Sequence, residues 1–188
     1  MKIAVGILVV LLVLGIGCGG KLVSVRNELV TLREGINGAW AQVDVALQRR
    51  ADLVPNLVET VRGFAAQEKD VLGKVADARS ALLGARSPQE RIAANSALDS
   101  AIGRLLVVVE NYPQLRSNEN FLRLQDELAG TENRIAVERR KYNEAVQKYN
   151  TNIGLFPNNL AAGLFGFQRN DDYFKTEPAA RGVPKVKF

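Results

Sequence analysis

Apolar residues recur along this chain at intervals of three and four, and their longest unbroken line lies in its second half. Phe121, Leu128, Ile135, Tyr142, Tyr149 and Phe156 stand seven apart, an interval that places them on one face of a helix and predicts a single long seam. A second run begins earlier. Leu22, Val25, Leu29, Leu32, Ile36, Ala39, Val43 and Ala46 alternate three and four apart, with Trp40 and Leu47 widening the stripe. Gly35 and Gly38 interrupt its propensity and suggest either a closely approaching neighbour helix or a local bend.

The punctuation between these runs predicts where helices start and stop. Arg49-Arg50-Ala51-Asp52-Leu53-Val54-Pro55 reads as a turn or kink, because proline suits the first turn of a helix but not its interior, and Asp52 is a suitable N-cap. A second helix is expected from about Leu53 to Gly84, carrying Leu57, Val58, Val61, Phe64, Ala65, Val71, Leu72, Val75, Ala78 and Leu82. Ser87-Pro88-Gln89-Glu90 has the order of cap, proline and acidic first turn that opens a third helix near Pro88. Its apolar face reads Ala94, Leu98, Ala101, Leu105, Val108 and Val109. Tyr112-Pro113 closes it, and Ser117 or Asn118 caps a fourth helix that runs to about Gly154 before Pro157 stops it. Four long amphipathic helices joined by short loops predict an all-α fold, an antiparallel four-helix bundle. No strand pattern of any length competes.

Ahead of the bundle, Ile3 to Gly20 carries no charge. As a helix it would extend about 27 Å, enough to cross a bilayer once Lys21 snorkels and Leu22 and Val23 join it. Residues 1–23 are therefore expected to be a transmembrane anchor, 24–167 the helical bundle and 168–188 an irregular tail with little to bury before Val183. Cys18 offers a competing anchor. It follows Leu14-Gly15-Ile16-Gly17, and a small residue before a cysteine at the end of an apolar run is what lipidation requires, although Gly15 stands where a bulky aliphatic residue is usual. Either anchor makes membrane lipid a partner and the cell membrane the location. The flanking charges, Lys2 against Lys21, Arg26 and Arg33, do not fix which side the bundle occupies. Gly15 and Gly19 form a small-xxx-small pair that would let two spans approach closely, pointing to a homo-oligomer, although glycines are also common at the ends of spans.

Composition narrows the chemistry. The chain has no histidine and one cysteine, which removes histidine general bases, the usual nucleophile triads and the usual zinc sets, so neither a catalytic residue nor a cofactor or metal is expected. The net charge of +5, from 25 basic and 20 acidic residues, is spread along helices rather than clustered with aromatics, which argues against a nucleic-acid partner. No small-molecule substrate is expected either. The paired carboxylates of glycoside chemistry need a cleft, and a seamed bundle offers none.

Three separated stretches carry a family likeness. Arg49-Arg50-Ala51-Asp52-Leu53-Val54-Pro55-Asn56-Leu57-Val58-Glu59-Thr60-Val61, the repeated Tyr142-Asn143 and Tyr149-Asn150 with Phe156-Pro157, and the closing Pro184-Lys185-Val186-Lys187-Phe188 together resemble the LemA family from anchor to tail. The resemblance implies an N-terminal membrane segment, a soluble helical bundle and no established catalysis. It further implies a scaffold associated with the bacterial membrane, with a membrane metalloprotease as an alternative partner for which the chain would act as adaptor or regulator.

Three groups of residues stand out as candidate sites. Arg49, Arg50, Asp52, Asn56 and Glu59 gather polar groups at the expected helix junction, where an anion could bind, but capping and pairing of the arginines by Asp52 and Glu59 is the favoured reading. Tyr142 and Tyr149 lie on the seam and their hydroxyls need partners if buried, while Asn143 and Asn150, one position beyond it, are placed to bond across helices or to the turn before Phe156. Leu155, Phe156, Pro157, Leu160, Leu164, Phe165 and Phe167 form a cluster more apolar than a loop requires. It either closes the open end of the bundle, the favoured reading, or stands exposed as an interaction surface for a partner or a membrane.

Overall fold

The computed structural model describes residues 2–174. The side chains of residues 2–5, 7–11, 14 and 18 fall outside that description, and so do Cys18 as a lipidation candidate and the closing Pro184 to Phe188 motif. The described chain is all-helical, with no strand. It contains α1 (Lys2–Arg62), α2 (Lys69–Gly84), α3 (Pro88–Val109), α4 (Pro113–Arg116), α5 (Glu119–Gly154) and α6 (Asn158–Phe165). These form two compact units. Among the described residues, one comprises 2–39 with 143–171, the other 40–142 with 172–174.

The expected junction at Arg49 to Pro55 is absent, because α1 passes through it with Pro55 in its interior. The physical reason lies on another helix. Proline has no N–H to give the carbonyl four residues back, which here is that of the fully buried Ala51. The Arg79 Nε on α2 donates to that carbonyl at 2.8 Å, supplying the hydrogen bond the helix lacks and removing the need to break. The real interruption comes eight residues later. Gly63 to Glu68 forms turns in which the Gly63 N–H still reaches Glu59 O at 3.2 Å and the Ala65 N–H reaches Val61 O at 2.9 Å. Helix α2 thus begins at Lys69, well after the expected Leu53, and Asp52 caps nothing. Its carboxylate instead accepts from Gln48 Nε2 one turn back, at 2.9 Å.

The other boundaries follow their local chemistry. Ser87 and Glu90 form a reciprocal capping box at the start of α3, with Glu90 N–H to Ser87 Oγ at 3.2 Å and Ser87 N–H to Glu90 Oε2 at 3.3 Å. Asn118 caps α5 by accepting from the Phe121 N–H at 3.1 Å, while the Ser117 hydroxyl turns back to the Pro113 carbonyl at 3.1 Å. Gly35 and Gly38 have no neighbour within 4 Å of a Cβ built on either. Close helix approach is therefore not their reason among the described residues.

In the larger unit, segments of α1, α2, α3 and α5 turn their seams inward. Val43, Leu47, Val54 and Leu57 of α1, Leu72, Val75 and Leu82 of α2, Leu98, Ile102 and Leu105 of α3, and Phe121, Leu128 and Ile135 of α5 are all buried. Helix α3 is long and apolar enough to cross a membrane by length and composition. Its Leu98, Leu105 and Val109 are nonetheless core residues here, and its Arg91 and Asp99 pair with Asp44 and Arg50 of α1.

In the smaller unit, Val25 and Leu29 of α1 form a compact cluster with Ala161 and Ala162 of α6, and Leu22, Ile153 and Phe167 pack against it. The Phe156–Pro157 peptide bond that precedes α6 is cis. Gly166 ends that helix at φ +70°, where a side chain would be strained, and its N–H and that of Phe167 both return to the Ala162 carbonyl.

Candidate functional site

The seam of α5 is buried at Phe121, Leu128, Ile135, Tyr142 and Tyr149, and the next position in the series, Phe156, is 80% exposed. Beyond that point the apolar cluster divides by size. Ala161 and Ala162 face inward and Phe167 is half-buried against them, whereas Leu155, Phe156, Leu160, Leu164 and Phe165 face solvent. The small residues and Phe167 close this end of the helices, and the large ones make an exposed apolar surface together with Pro157. Arg26 lies 5.9 Å from the Phe165 ring centroid and Arg33 lies 5.4 Å from that of Phe167, so two cations of α1 sit over aromatic rings here.

Polar contacts hold α6 and the following segment in place. Asn152 bridges Glu28 and Asn158, donating to the former and accepting from the latter, both at 2.7 Å. Tyr149 donates its hydroxyl to the Gln168 carbonyl at 2.8 Å, and burial pushes its pKa up, with Arg33 opposing. Asn150 binds the backbone of Asn170 from both sides, accepting from its N–H at 2.9 Å and donating to its carbonyl at 2.6 Å. The second Tyr-Asn pair therefore clamps the chain that returns after α6, rather than bonding to the turn before Phe156.

The first pair has a related partner in the larger unit. Tyr142 meets Trp40 edge-on at 5.4 Å and Phe174 edge-on at 5.6 Å, and Phe174 stacks on Trp40 at 6.0 Å, with Arg139 5.0 Å from its ring centroid. From Gln168 to Phe174 the described chain has no regular element, yet it has something to bury well before Val183.

The polar group at Arg49 to Glu59 resolves differently from its sequence reading. Arg50 is 5% exposed and pairs with Asp99 of α3 and Glu132 of α5, not with Asp52 or Glu59. Asn95 Nδ2 donates to the other oxygen of Asp99 at 3.0 Å. Arg49 reaches Glu127 at 3.6 Å, and Glu59 pairs with Arg62 at 2.6 Å. This network joins α1, α3 and α5, with one buried cation held between two carboxylates. Beside it, Gln42, Arg49, Glu127, Thr131 and Arg134 line a groove of about 350 Å³. At the turn after α1, Tyr112 donates to Glu68 at 2.7 Å and accepts from Gln67 at 2.8 Å. The carboxylate that accepts its proton raises its pKa, with desolvation adding to the effect. Among the described residues no cluster of three or more histidine, cysteine or carboxylate side chains is arranged to hold a metal.

Gly15 and Gly19 have no neighbour within 4 Å among the described residues. That face of α1 is open.

The chain is similar to magnetosome protein MamQ 1 of Paramagnetospirillum magneticum, 30% identical over 179 residues that cover 81% of this chain and 65% of that protein. Magnetosome protein MamQ of Magnetospirillum gryphiswaldense is 27% identical over the same shares. Protein LemA of Metamycoplasma hominis is 28% identical over 141 residues, 73% of this chain and 63% of that one. The chain thus spans about 65% of the length of the first of these relatives. Residues 39–188 match the LemA family, the span that holds the Arg50 network, the Tyr-Asn clamps and α6, and on that match the chain belongs to the LemA family.

Proposed function

We propose that this protein is a membrane-anchored, non-enzymatic helical scaffold, in which an N-terminal span carries an antiparallel four-helix bundle that gathers copies of itself or other proteins at a bacterial membrane. One observation supports the reading above the others. The uncharged run Ile3 to Gly20 belongs to the same helix, Lys2–Arg62, that supplies core residues to the bundle. The apolar run passes without a helix stop into the amphipathic stripe that starts at Leu22, as an uncleaved span leading into a stalk would. The pairing of the buried Arg50 with carboxylates from two other helices and the absence of histidine support a structural rather than a chemical role. Family membership supports the same reading through the membrane segment and bundle that the LemA likeness implies.

Cross-linking of the full chain in native membranes, followed by alkaline carbonate extraction, tests the proposal. An integral protein recovered as cross-linked multimers or with a constant partner is the expected result. Recovery only as a monomer without partners would overturn the scaffold. Loss from the membrane on replacing Cys18→Ser, with a lipid-sized mass increment on the wild-type chain, would replace the span by a lipid anchor.

A further inference from the structure

We infer that α6 is an interfacial membrane helix, and that its exposed Leu160 and Leu164, with Phe156 just ahead of it, lie in the headgroup boundary of the leaflet from which α1 emerges. The inference rests on the proposed N-terminal span and gives that anchor a second point of contact. It begins from position along α1. The cluster that seats α6 is built on Leu22, Val25 and Leu29, while the uncharged run ends at Gly20. At 1.5 Å per residue, Val25 stands only about 7.5 Å beyond Gly20 along the helix axis, comparable to the thickness of one headgroup layer. A helix packed there is held at the membrane surface rather than above it.

The composition of the segment fits that depth. No charged residue stands between Lys148 and Arg169, so the stretch that includes α6 presents no ion to be desolvated. Within it, Leu160 and Leu164 stand one turn apart on α6 and are 63% and 68% exposed, with Phe156, 80% exposed, just ahead of the helix, while another side of the helix carries Ala161 and Ala162 against α1. A soluble surface scatters its exposed apolar side chains, whereas this one aligns them. Lys21, Arg26 and Arg33 on α1, with Lys148 and Arg169 at the ends of the uncharged segment, supply cations for anionic headgroups. Arg26, over the Phe165 ring, links the cationic and the apolar parts.

The test uses the full chain with Cys18→Ser, reconstituted in vesicles of phosphatidylcholine and phosphatidylglycerol, with an environment-sensitive fluorophore on a single introduced cysteine. Leu164→Cys reports α6, Val13→Cys reports the span, and Val107→Cys, at a site of similar exposure on α3, serves as the control. Shallow nitroxide lipids are expected to remove most of the Leu164→Cys emission and leave that of Val107→Cys unchanged. Quenching at Val13→Cys with none at Leu164→Cys would overturn the inference and leave the anchor standing. A Leu164→Cys signal that shifts to the blue with protein concentration but ignores the nitroxide would also overturn it, assigning the face to a second copy. An unquenched Val13→Cys would instead remove the span itself. As a second measure, the double variant Leu160→Ser, Leu164→Ser should retain its helical circular dichroism while the nitroxide effect, read at Phe156→Cys, falls to the level of the control.

Discussion

The two units of this molecule bury different things. The larger one hides its large apolar side chains, among them Leu47, Leu57, Leu82, Leu98, Leu105 and Phe121, and leaves only scattered ones such as Val45, Val107 and Val137 in solvent. In the smaller unit the contact between α1 and α6 is made with two alanines, and Leu155, Phe156, Leu160 and Leu164 are left outside. The same kind of residue thus serves as core in one place and as surface in the other. What separates them is whether a partner helix is available. Where neighbouring helices bury the seam, apolar area is removed from water at about 25 cal/mol per Å². Where it stays exposed, the area is available to something outside the chain.

Truncation of one leucine from each region breaks or upholds this contrast most directly. Leu98→Ala, at a fully buried site, is expected to cost about 2–5 kcal/mol through lost transfer energy and the cavity left behind. Leu164→Ala, at a site 68% exposed, should change stability by no more than about 0.5 kcal/mol. Thermal unfolding of the full chain in detergent reads both. A comparable fall in Tm for the two would show that the α6 ridge is core and would end the comparison.

The next largest effect belongs to Arg50. Its side chain is 7% exposed, whereas those of Asp99 and Glu132 are 34% and 45% exposed. Removing a buried partner from an ion pair is costly, but here the orphaned carboxylates can rehydrate. Arg50→Ala should therefore cost about 2–3 kcal/mol rather than the upper range for wholly buried pairs. Arg50→Met, which fills the space and removes the charge, should recover part of that loss. Equal losses in the two variants would assign the network's value to charge alone.

Arg79 and Pro55 are coupled in a way that a double-mutant cycle can read. Arg79→Ala leaves the carbonyl of the fully buried Ala51 without a donor, at an expected cost of about 1–2 kcal/mol. Pro55→Ala restores the backbone N–H that the helix is missing. In the Pro55→Ala background the Arg79→Ala penalty should therefore shrink by about 1 kcal/mol. A strictly additive cycle would mean that the two residues act independently.

Much of this organisation was legible in the spacing of side chains, and the failures have physical causes. The all-helical class, the Ser87 and Glu90 box and the end of α2 at Gly84 are local features, readable from periodicity and caps, whereas the same periodicity placed Phe156 on a seam that it leaves. Pro55 misled because its rescue comes from Arg79, a residue far along the chain whose contact no local pattern announces. Arg50 carried a readable signal that was passed over. It occupies the seam register between Val43, Leu47, Val54 and Leu57, and a charge at a core register needs partners from the facing helices. Asn95 stands in the same relation to Leu98 and Ile102, and Thr131 and Glu138 to Leu128 and Ile135; all four are buried. The Tyr-Asn repeat was conspicuous in sequence, but its ligands are backbone groups of Gln168 and Asn170 and the Phe174 ring, in a segment with no periodicity of its own.

The smallest expected effect probes how the smaller unit holds its returning chain, since Tyr149 does with one hydroxyl what the larger unit does with packed side chains. Burial raises the Tyr149 pKa above the ordinary tyrosine value, and its O–H donates to the Gln168 carbonyl. The fold therefore prefers the neutral phenol, and the unfolded chain is the first to ionise. The stabilisation this gives is fully present below about pH 10, the unfolded value, and is lost as pH rises through the higher folded value; acid leaves it untouched. Tyr149→Phe removes the hydroxyl, and at neutral pH it should cost about 0.5–1.5 kcal/mol, the net worth of one such hydrogen bond. The gap between the two proteins should narrow above pH 10, because only the wild type still has that ionisation to lose to the unfolded state. Tyr112, whose pKa is also raised, is present in both and cancels. Denaturant unfolding at a series of alkaline pH values reads the gap directly, and a gap constant through that range would mean that the clamp depends on the ring and not on its proton.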